Sequence, residues 1–203
     1  MSVAIAPAID LRSHEILASI RQAFAEKGFD GASMQDLARA AGMSVGNFYR
    51  YFPSKAAIVQ AMCAFDLAEI QGEFAEIQVS KDPMTDLRER ILGHFSEEAM
   101  KDGQLWAEIT AASIRKPEIG EASRQMEATI VSLLTTIFAA VSHRSIEEAR
   151  IRYEGQCQML VLLVKATAIR TAQCGPASPA LAAQIVTTID RILTEISNDK
   201  AEG

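Results

Sequence analysis

The chain has 203 residues, a formal net charge of −6 at pH 7 and a hydrophobic fraction of 49%. This much apolar sequence excludes a disordered chain, and the length allows one sizeable core or a small domain beside a larger one. No apolar run reaches the ~20 residues that a membrane span needs, and no basic segment precedes an apolar stretch at the N-terminus, so we expect a cytoplasmic protein with no membrane partner.

The first predicted helix runs from about Asp10 to Lys27. Apolar side chains recur along it at helical spacing, and Gly28 is placed to end it. We expect Phe29, directly after this glycine, to fill the core of a small N-terminal domain. Frequent alanine, leucine and glutamate, with few glycines and prolines, favour an all-α fold for the whole chain.

Residues 33–55 have the form of two short capped helices joined by a glycine turn. Ser33 is a good cap for the first helix, and Asp36 three residues later supports the same helix start. Gly42 stands where a helix ends in the left-handed conformation that glycine adopts without steric cost. Ser44 is placed to cap the second helix. The two caps and the glycine turn therefore predict a compact helix pair.

The second helix of this pair has one inward face. Met43 and Phe48 take the two positions of a hydrophobic staple, which fixes the angle at which the chain enters the helix. Phe52 follows Phe48 by four residues on the same face, and Pro53 stops the helix. Such a pair is typical of the helix-turn-helix, whose second helix enters the major groove of DNA.

The chain from about residue 12 to residue 60 also resembles the N-terminal domain of the TetR family of bacterial transcriptional regulators. Several spaced elements agree in order and without gaps; they are residues 16–18, 24–29, 36–38, 41–44, 46, 48–52 and 54–55. One departure is Tyr51, where the family most often has histidine, although tyrosine still offers a hydroxyl to a phosphate. The resemblance implies a three-helix DNA-binding domain at 1–53 and a larger helical effector-binding and dimerisation domain at 54–203.

Helical periodicity continues to the end of the chain. One long helix is predicted from about Ser54 to Val79, as a connector between the two domains. Five further helices are predicted at about 85–101, 103–115, 118–142, 145–173 and 178–198, with breaks at glycine and proline positions.

The last two predicted helices are apolar on more than one face, over residues 153–169 and 181–196. A helix that is apolar all round must be buried on all sides, and a partner subunit is the simplest cover in a chain of this length. The resemblance points the same way, because in the family the last two helices of each subunit form a four-helix bundle. We therefore predict a homodimer; the alternative is burial within one subunit.

Roles in DNA binding follow from position on the second helix of the pair. Residues at its start approach base edges, and flanking hydroxyls and cations meet phosphates. Asn47 can make a bidentate contact with adenine, Val45 can contact a thymine methyl, and Gly46 allows close backbone approach. The candidate phosphate contacts are Ser33, Ser44, Tyr49, Tyr51 and Lys55, with Arg50 suited to a base or a phosphate. The alternatives are that the serines only cap, Tyr49 only packs and Lys55 is only solvated.

Charge alone does not decide for or against this interpretation. Residues 1–60 carry six Lys or Arg and five Asp or Glu, whereas the remainder carries 14 and 21. The acidity thus lies in the C-terminal part, and the N-terminal part is slightly basic.

The resemblance further implies that residues 84–175 enclose a cavity for a small effector. Effector binding changes the distance between the two recognition helices of the dimer, which are the second helix of the pair in each subunit. Candidate lining residues have a polar or polarisable tip on an otherwise apolar helix; they are His94, Trp106, Met126, Tyr153, Gln156, Cys157 and Thr167. For each of them the alternative is an ordinary core or surface side chain.

The residue types used in catalysis are present without the spacing that catalysis needs. The three cysteines and three histidines are scattered and show no zinc spacing, and no glycine loop is placed to cradle a phosphate. We expect no enzyme activity, no metal and no cofactor. A redox role for Cys157 or Cys174 is the alternative to an ordinary structural cysteine.

The sequence therefore predicts a ligand-responsive transcriptional regulator, and specifically a repressor. In this interpretation a homodimer binds a palindromic double-stranded operator and leaves it when a small-molecule effector binds. Activation instead of repression stays open. The alternative function is a helical interaction or ligand-carrier protein with a vestigial helix-turn-helix.

Overall fold

The structure, a computed structural model, describes residues 11–96 and 103–200. In these residues it contains nine α-helices and no strand, which confirms the all-α prediction. The helices are α1 Leu11–Lys27, α2 Met34–Ala40, α3 Val45–Tyr51, α4 Lys55–Gln78, α5 Pro83–Gly93, α6 Gly103–Arg115, α7 Pro117–Ser142, α8 Ile146–Cys174 and α9 Pro179–Asn198. Asp10, the predicted start of the first helix, lies outside the described residues.

The described residues divide into two compact units. Those within Met1–Asp66 and Glu108–Ser123 form the first unit, and those within Leu67–Ala107 and Arg124–Gly203 form the second. Helices α4, α6 and α7 each contribute residues to both units. The functional domains predicted at 1–53 and 54–203 stay a prediction, because a division into compact units does not show which function each part of the chain has.

The first unit has its core where α1 ends. Gly28 adopts a φ of +74°, and its N–H donates to the carbonyl oxygen of Phe24 at 2.9 Å, which closes the helix. Phe29 is 1% exposed, and its ring stacks on that of Phe24 with 5.1 Å between the centroids. The glycine stop and the buried phenylalanine are therefore both confirmed.

The second unit is built around one buried apolar cluster. Side chains of α4, α5, α7, α8 and α9 contribute to it, among them Phe74, Leu87, Phe138, Tyr153 and Ile189. The Phe138 and Tyr153 rings meet edge to face at 6.2 Å, an arrangement that aromatic pairs favour. Each such side chain contributes about 1.5–3 kcal/mol by leaving water, so this cluster is the main source of stability in the unit.

The end of α5 differs from the prediction. Periodicity predicted a helix over 85–101, whereas α5 ends at Gly93. The next three N–H groups donate to carbonyl oxygens only three residues back, at 3.0–3.2 Å, namely those of His94, Phe95 and Ser96. The chain tightens in this way after a glycine, which has a low helix propensity. The predicted end was therefore wrong; residues 97–101 lie outside the described part.

By length and composition, α7 is the single helix in the described part of the chain that could cross a membrane. Buried core helices of water-soluble proteins meet the same criterion, so this is weak evidence for a span. Leu134, Ile137 and Phe138 of α7 belong to the buried cluster of the second unit, which accounts for its apolar character.

Candidate nucleic-acid interface

The turn between α2 and α3 is fixed by backbone hydrogen bonds. Gly42 has a φ of +64° and donates its N–H to the carbonyl oxygen of Arg39 at 3.1 Å. The N–H of Met43 donates to the carbonyl oxygen of Ala38 at 2.9 Å. These two bonds make a Schellman motif. Among the described residues nothing lies within 4 Å of the position a Cβ would take at Gly42, so the backbone conformation, and not packing, calls for glycine.

A capping box begins α2. The N–H of Asp36 donates to Ser33 Oγ at 3.1 Å, and the N–H of Ser33 donates to Asp36 Oδ2 at 3.0 Å. The Lys27 ammonium lies 2.5 Å from Asp36 Oδ1. Lys27 and then Ser33 hold the pKa of the Asp36 carboxyl well below its usual range. The predicted cap is confirmed. Ser33 is exposed, but its hydroxyl donates to Asp36 Oδ2 at 2.5 Å, so its role as a phosphate contact stays a prediction.

The recognition helix α3 has one buried anchor and an exposed outer face. Phe48 is 0% exposed, and its ring lies 5.3 Å from that of Phe52. Tyr49 and Tyr51 are 46% and 65% exposed. Eight of the nine predicted DNA contacts are exposed; they are Ser33, Ser44, Val45, Gly46, Asn47, Tyr49, Arg50 and Tyr51. The alternative in which Tyr49 only packs in the core does not fit its exposure.

The start of α3 is capped as the sequence predicted. Ser44 Oγ accepts a hydrogen bond from the backbone N–H of Asn47 at 3.4 Å. The Asn47 side chain is exposed in the first turn of the helix. No described atom lies within 4 Å of a Cβ placed on Gly46, so a DNA backbone or base has room to approach there.

Lys55, the ninth predicted contact, is tethered. Its Nζ donates to the carbonyl oxygens of Phe29 at 2.7 Å and Asp30 at 3.0 Å, and it lies 5.5 Å from the centroid of the Phe29 ring. Burial, with a smaller contribution from nearby Lys116, lowers the pKa of Lys55. This is not the solvated cation of the alternative interpretation. An ammonium has three N–H donors, so one remains for a phosphate.

Two of the predicted effector contacts lie in one cleft of the second unit. The cleft has a volume of about 290 Å³ and is lined by Arg152, Tyr153, Gln156, Glu195, Ile196 and Asp199. The Tyr153 hydroxyl donates to the backbone oxygen of Asp199 at 3.2 Å and lies 3.1 Å from its Oδ2. Arg144 lies 3.1 Å from Asp199 Oδ1, and Arg152 pairs with the same carboxylate. These contacts, Arg152 first, lower the pKa of Asp199 to about 2.

The other effector candidates do not line this cleft. Cys157 is buried with its Sγ 3.6 Å from Thr135 Oγ1, and burial raises the pKa of its thiol to about 11. A thiol that stays protonated at neutral pH is a poor nucleophile, which favours the structural alternative for Cys157. Thr167 is buried, and the three remaining candidates are partly buried, namely His94, Trp106 and Met126. The role of all seven in effector binding stays a prediction.

In residues 11–96 and 103–200 no group of three or more His, Cys, Asp or Glu side chains is placed to hold a metal ion.

Comparison with known proteins bears on the first unit most directly. Residues 16–62 match the family model described as bacterial regulatory proteins, tetR family. This segment is shared with the TetR family. It starts within α1, contains α2 and α3 and ends within α4.

Among the relatives, the transcriptional regulator UidR of Escherichia coli K12 is 28% identical over 119 residues, which are 59% of this chain and 60% of UidR. The chain therefore spans about 60% of the length of the curated relatives that it matches first. These relatives are described as transcriptional regulators, which agrees with the prediction that the chain is not an enzyme.

Solved structures extend the likeness to almost the whole chain. GusR of Salmonella enterica aligns with a TM-score of 0.69 at 23% identity, covering 95% of this chain and 100% of GusR. FadR of Bacillus subtilis, solved in complex with stearoyl-CoA, aligns with a TM-score of 0.61 at 18% identity, covering 93% and 99%. At these identities the likeness shows the fold: an N-terminal helix-turn-helix followed by a helical C-terminal region.

Proposed function

We propose that this chain is a cytoplasmic transcriptional repressor of the TetR family that binds a palindromic operator as a homodimer and is released by a small-molecule effector. The observation that carries the proposal is that α3 has one buried face and one exposed face. Phe48 anchors the helix in the core, while Val45, Asn47 and Tyr49 are exposed beside it. An exposed helix held rigidly behind a Schellman turn is what major-groove reading requires.

Specificity is assigned to the start of α3. Asn47 is the side chain there with both a donor and an acceptor, which suits the N6 and N7 edge of adenine. The hydroxyls of Tyr49 and Tyr51 and the guanidinium of Arg50 flank it and are exposed to meet phosphates. Contacts to phosphate set position and affinity, and the Asn47 contact sets sequence.

Exposed apolar side chains on α8 support the dimer. Ile151, Met159 and Leu162 are 72%, 44% and 57% exposed and follow one another on one side of the helix. A row of apolar side chains of this kind marks a protein interface, and TetR-family regulators are typically dimers. We therefore place the dimer contact on α8 together with α9, the last two helices. Two-fold symmetry then accounts for a palindromic operator.

The dimer can be tested by placing a charge on this row. We expect Leu162→Lys to convert the dimer to a monomer and to weaken operator binding by more than tenfold, because burying an unpaired charge costs several kcal/mol and a monomer contacts only one half-site. Sedimentation equilibrium and operator titration measure the two effects. Val79→Lys is the matched control, since Val79 is 85% exposed and lies outside α8 and α9. A dimer that persists in Leu162→Lys places the interface elsewhere.

Small-molecule control is proposed for the second unit. FadR, which has the same fold, was solved with stearoyl-CoA bound, so this architecture accommodates a ligand. In the present chain Tyr153 and Gln156 are the effector candidates that reach a cleft, and they are the first positions to examine once a ligand is known.

The experiment that tests the function is selection of bound fragments from the source genome, followed by titration of the recovered duplex across a salt series. A repressor that neutralises phosphates shows log K falling with log salt by about 0.9 per phosphate contact. A ligand carrier with a vestigial motif recovers no sequence and shows no such slope. Transcription from the recovered promoter, with and without the protein, separates repression from activation.

The role of Asn47 has its own test. We expect Asn47→Ala to reduce discrimination between the operator and a duplex changed at the contacted adenine by about 1–3 kcal/mol. Tyr51→Phe is the matched control: it removes one exposed hydroxyl, so it should weaken operator and unrelated DNA alike. Equal loss of discrimination in both variants would remove Asn47 from base reading.

A further inference from the structure

The cleft between α8 and α9 in the second unit has a buried floor and two polar walls. Tyr153 and Ile196, which are 2% and 1% exposed, form the floor. One wall is lined by Arg152 and Gln156, one turn apart on α8, and the other by Glu195 near the end of α9. Its volume of about 290 Å³ is at the lower end of small-molecule sites, which hold about 300–1,000 Å³. The cleft therefore suits a compact polar ligand and not a long acyl chain.

One carboxylate of the cleft is already largely engaged by the protein. Asp199, the residue after α9, is bonded by Arg144 at 3.1 Å and by Arg152 through its Nε, and the Tyr153 hydroxyl lies 3.1 Å from it. Arg152 contributes most to lowering the pKa of Asp199 to about 2, so this carboxylate stays ionised at neutral pH. These contacts surround Asp199 and leave little of it for a ligand. Its role is to hold the two arginine side chains in place.

The remaining polar groups of the cleft carry opposite charges on the two walls. On α8, the side of the Arg152 guanidinium away from Asp199 can bind an anion, since the side chain is 54% exposed and a guanidinium has five N–H donors. The amide of Gln156, one turn further along, can donate to the same anion. On α9, Glu195 is 61% exposed and only loosely paired with Arg191 at 4.0 Å, so its carboxylate can bind a cation.

Opposite charges on the two walls discriminate between ligands by their charge. A simple anion is attracted by Arg152 but repelled by Glu195, and a simple cation meets the reverse situation. A molecule with one anionic and one cationic group satisfies both walls at once. Carboxylates are well matched to guanidinium donors, and ammonium groups are well matched to a carboxylate. The cleft therefore has the chemistry to bind a compact zwitterion.

From this arrangement we infer that the cleft is the effector site and that the effector is a small zwitterion of the amino-acid class. The ligand carboxylate binds Arg152 and Gln156, and its ammonium group binds Glu195. Tyr153 and Ile196, in the floor, contact its carbon skeleton. The inference rests on the proposed function and names the chemical class of its effector.

The standard α-amino acids, tested one at a time against the full-length protein without DNA, are the probes. Saturation-transfer difference NMR identifies those that bind, and isothermal titration calorimetry measures their affinities. Each binder is compared with the acid that lacks its amino group and with the amine that lacks its carboxyl group. We expect at least one amino acid to bind, and both matched compounds to bind at least about tenfold more weakly, because each loses a charge-assisted hydrogen bond.

Two variants assign the binding to this cleft. Glu195→Gln should weaken amino-acid binding at least about tenfold and leave binding of the deaminated acid equal or stronger, because the repelling charge is gone. Arg152→Gln should weaken amino-acid binding to the same extent and leave binding of the amine equal or stronger. A merely structural role of either side chain would weaken all three compounds alike. Arg150→Gln is the matched control, because it removes an exposed ion pair with Glu147 on α8 and should leave every affinity unchanged.

Titration of operator duplex with and without the bound amino acid separates this inference from the proposed function. We expect the amino acid to weaken operator binding by at least about fivefold, the lower end of typical allosteric couplings. The inference is overturned if no amino acid binds, if a matched compound binds as tightly, if both cleft variants bind like the wild type, or if operator affinity does not change. Failure of the protein to bind any duplex overturns the proposed function itself, whereas the measurements without DNA still test the ligand class.

Discussion

Replacing Phe48 by alanine is expected to lower the free energy of unfolding by about 3–5 kcal/mol and to abolish operator binding. Phe48 is fully buried in the first unit and contacts Phe52, so alanine leaves a cavity that the surrounding helices cannot close completely. Natural domains are stable by only about 5–15 kcal/mol, so this change removes much of what holds α3 in place.

Urea unfolding followed by far-ultraviolet circular dichroism measures the stability change, and titration with operator duplex measures the functional one. Tyr51→Ala is the matched control, since it truncates another aromatic residue of α3 whose side chain is 65% exposed. Its unfolding free energy should stay within about 0.5 kcal/mol of the wild type while DNA binding weakens. If Phe48→Ala unfolds at the wild-type midpoint, Phe48 is not the anchor of the recognition helix.

The DNA-binding surface could be predicted closely because its structure is determined by local chemistry. The capping box of Ser33 and Asp36, the cap at Ser44 and the left-handed glycine at Gly42 each involve atoms within five residues of one another. Such bonds are readable from residue type and spacing alone. The same locality explains why most helix limits agreed with the prediction to within two residues.

The end of α5 shows where this reasoning stops. Apolar periodicity continues past Gly93 through Phe95, so the pattern favoured a longer helix. The backbone instead tightens, after Gly93, into bonds between residues three apart, and a single glycine inside a helical pattern is too weak a signal to predict that change. Apolar periodicity shows which face of a helix is apolar. It does not show which carbonyl oxygen accepts the hydrogen bond from each backbone N–H.

Long-range contacts could not be predicted at all. Asp30 meets Arg115 and Lys116 across more than 80 positions, and Asp199 meets Arg144 across 55. Charged residues are common along the chain, and spacing gives no means of choosing among the possible pairs. For the same reason the effector candidates, selected by residue type on apolar helices, were not brought together: Tyr153 and Gln156 reach one cleft, and the others do not line it.

Acid sensitivity at mildly low pH is expected to originate at His94. Burial of the imidazole, followed by repulsion from Arg90, lowers the pKa of His94 from 6.5 to about 4. Between these values the unfolded chain binds a proton that the folded chain excludes, so the unfolded state gains stability as the pH falls. The stability contributed by neutral His94 is thus complete above pH 6.5 and is lost as the pH falls to about 4. The loss is on the order of 3 kcal/mol.

The carboxyl groups with shifted pKa values act mainly below this window, because each pKa is lowered from an ordinary value of 3.8 or 4.5. The pKa of Asp199 is lowered from 3.8 to about 2, so the stability it contributes is present above 3.8 and is lost as the pH falls through 2. Urea unfolding between pH 7 and pH 4.5 therefore reports mainly on His94.

His94→Gln keeps a polar side chain that does not titrate, and we expect its unfolding free energy to be almost independent of pH across this range. His143→Asn is the control, because His143 is exposed and has a φ of 55°, which asparagine tolerates. It should keep the wild-type pH dependence. A His94→Gln protein that loses stability as steeply as the wild type would show that the acid sensitivity has another origin.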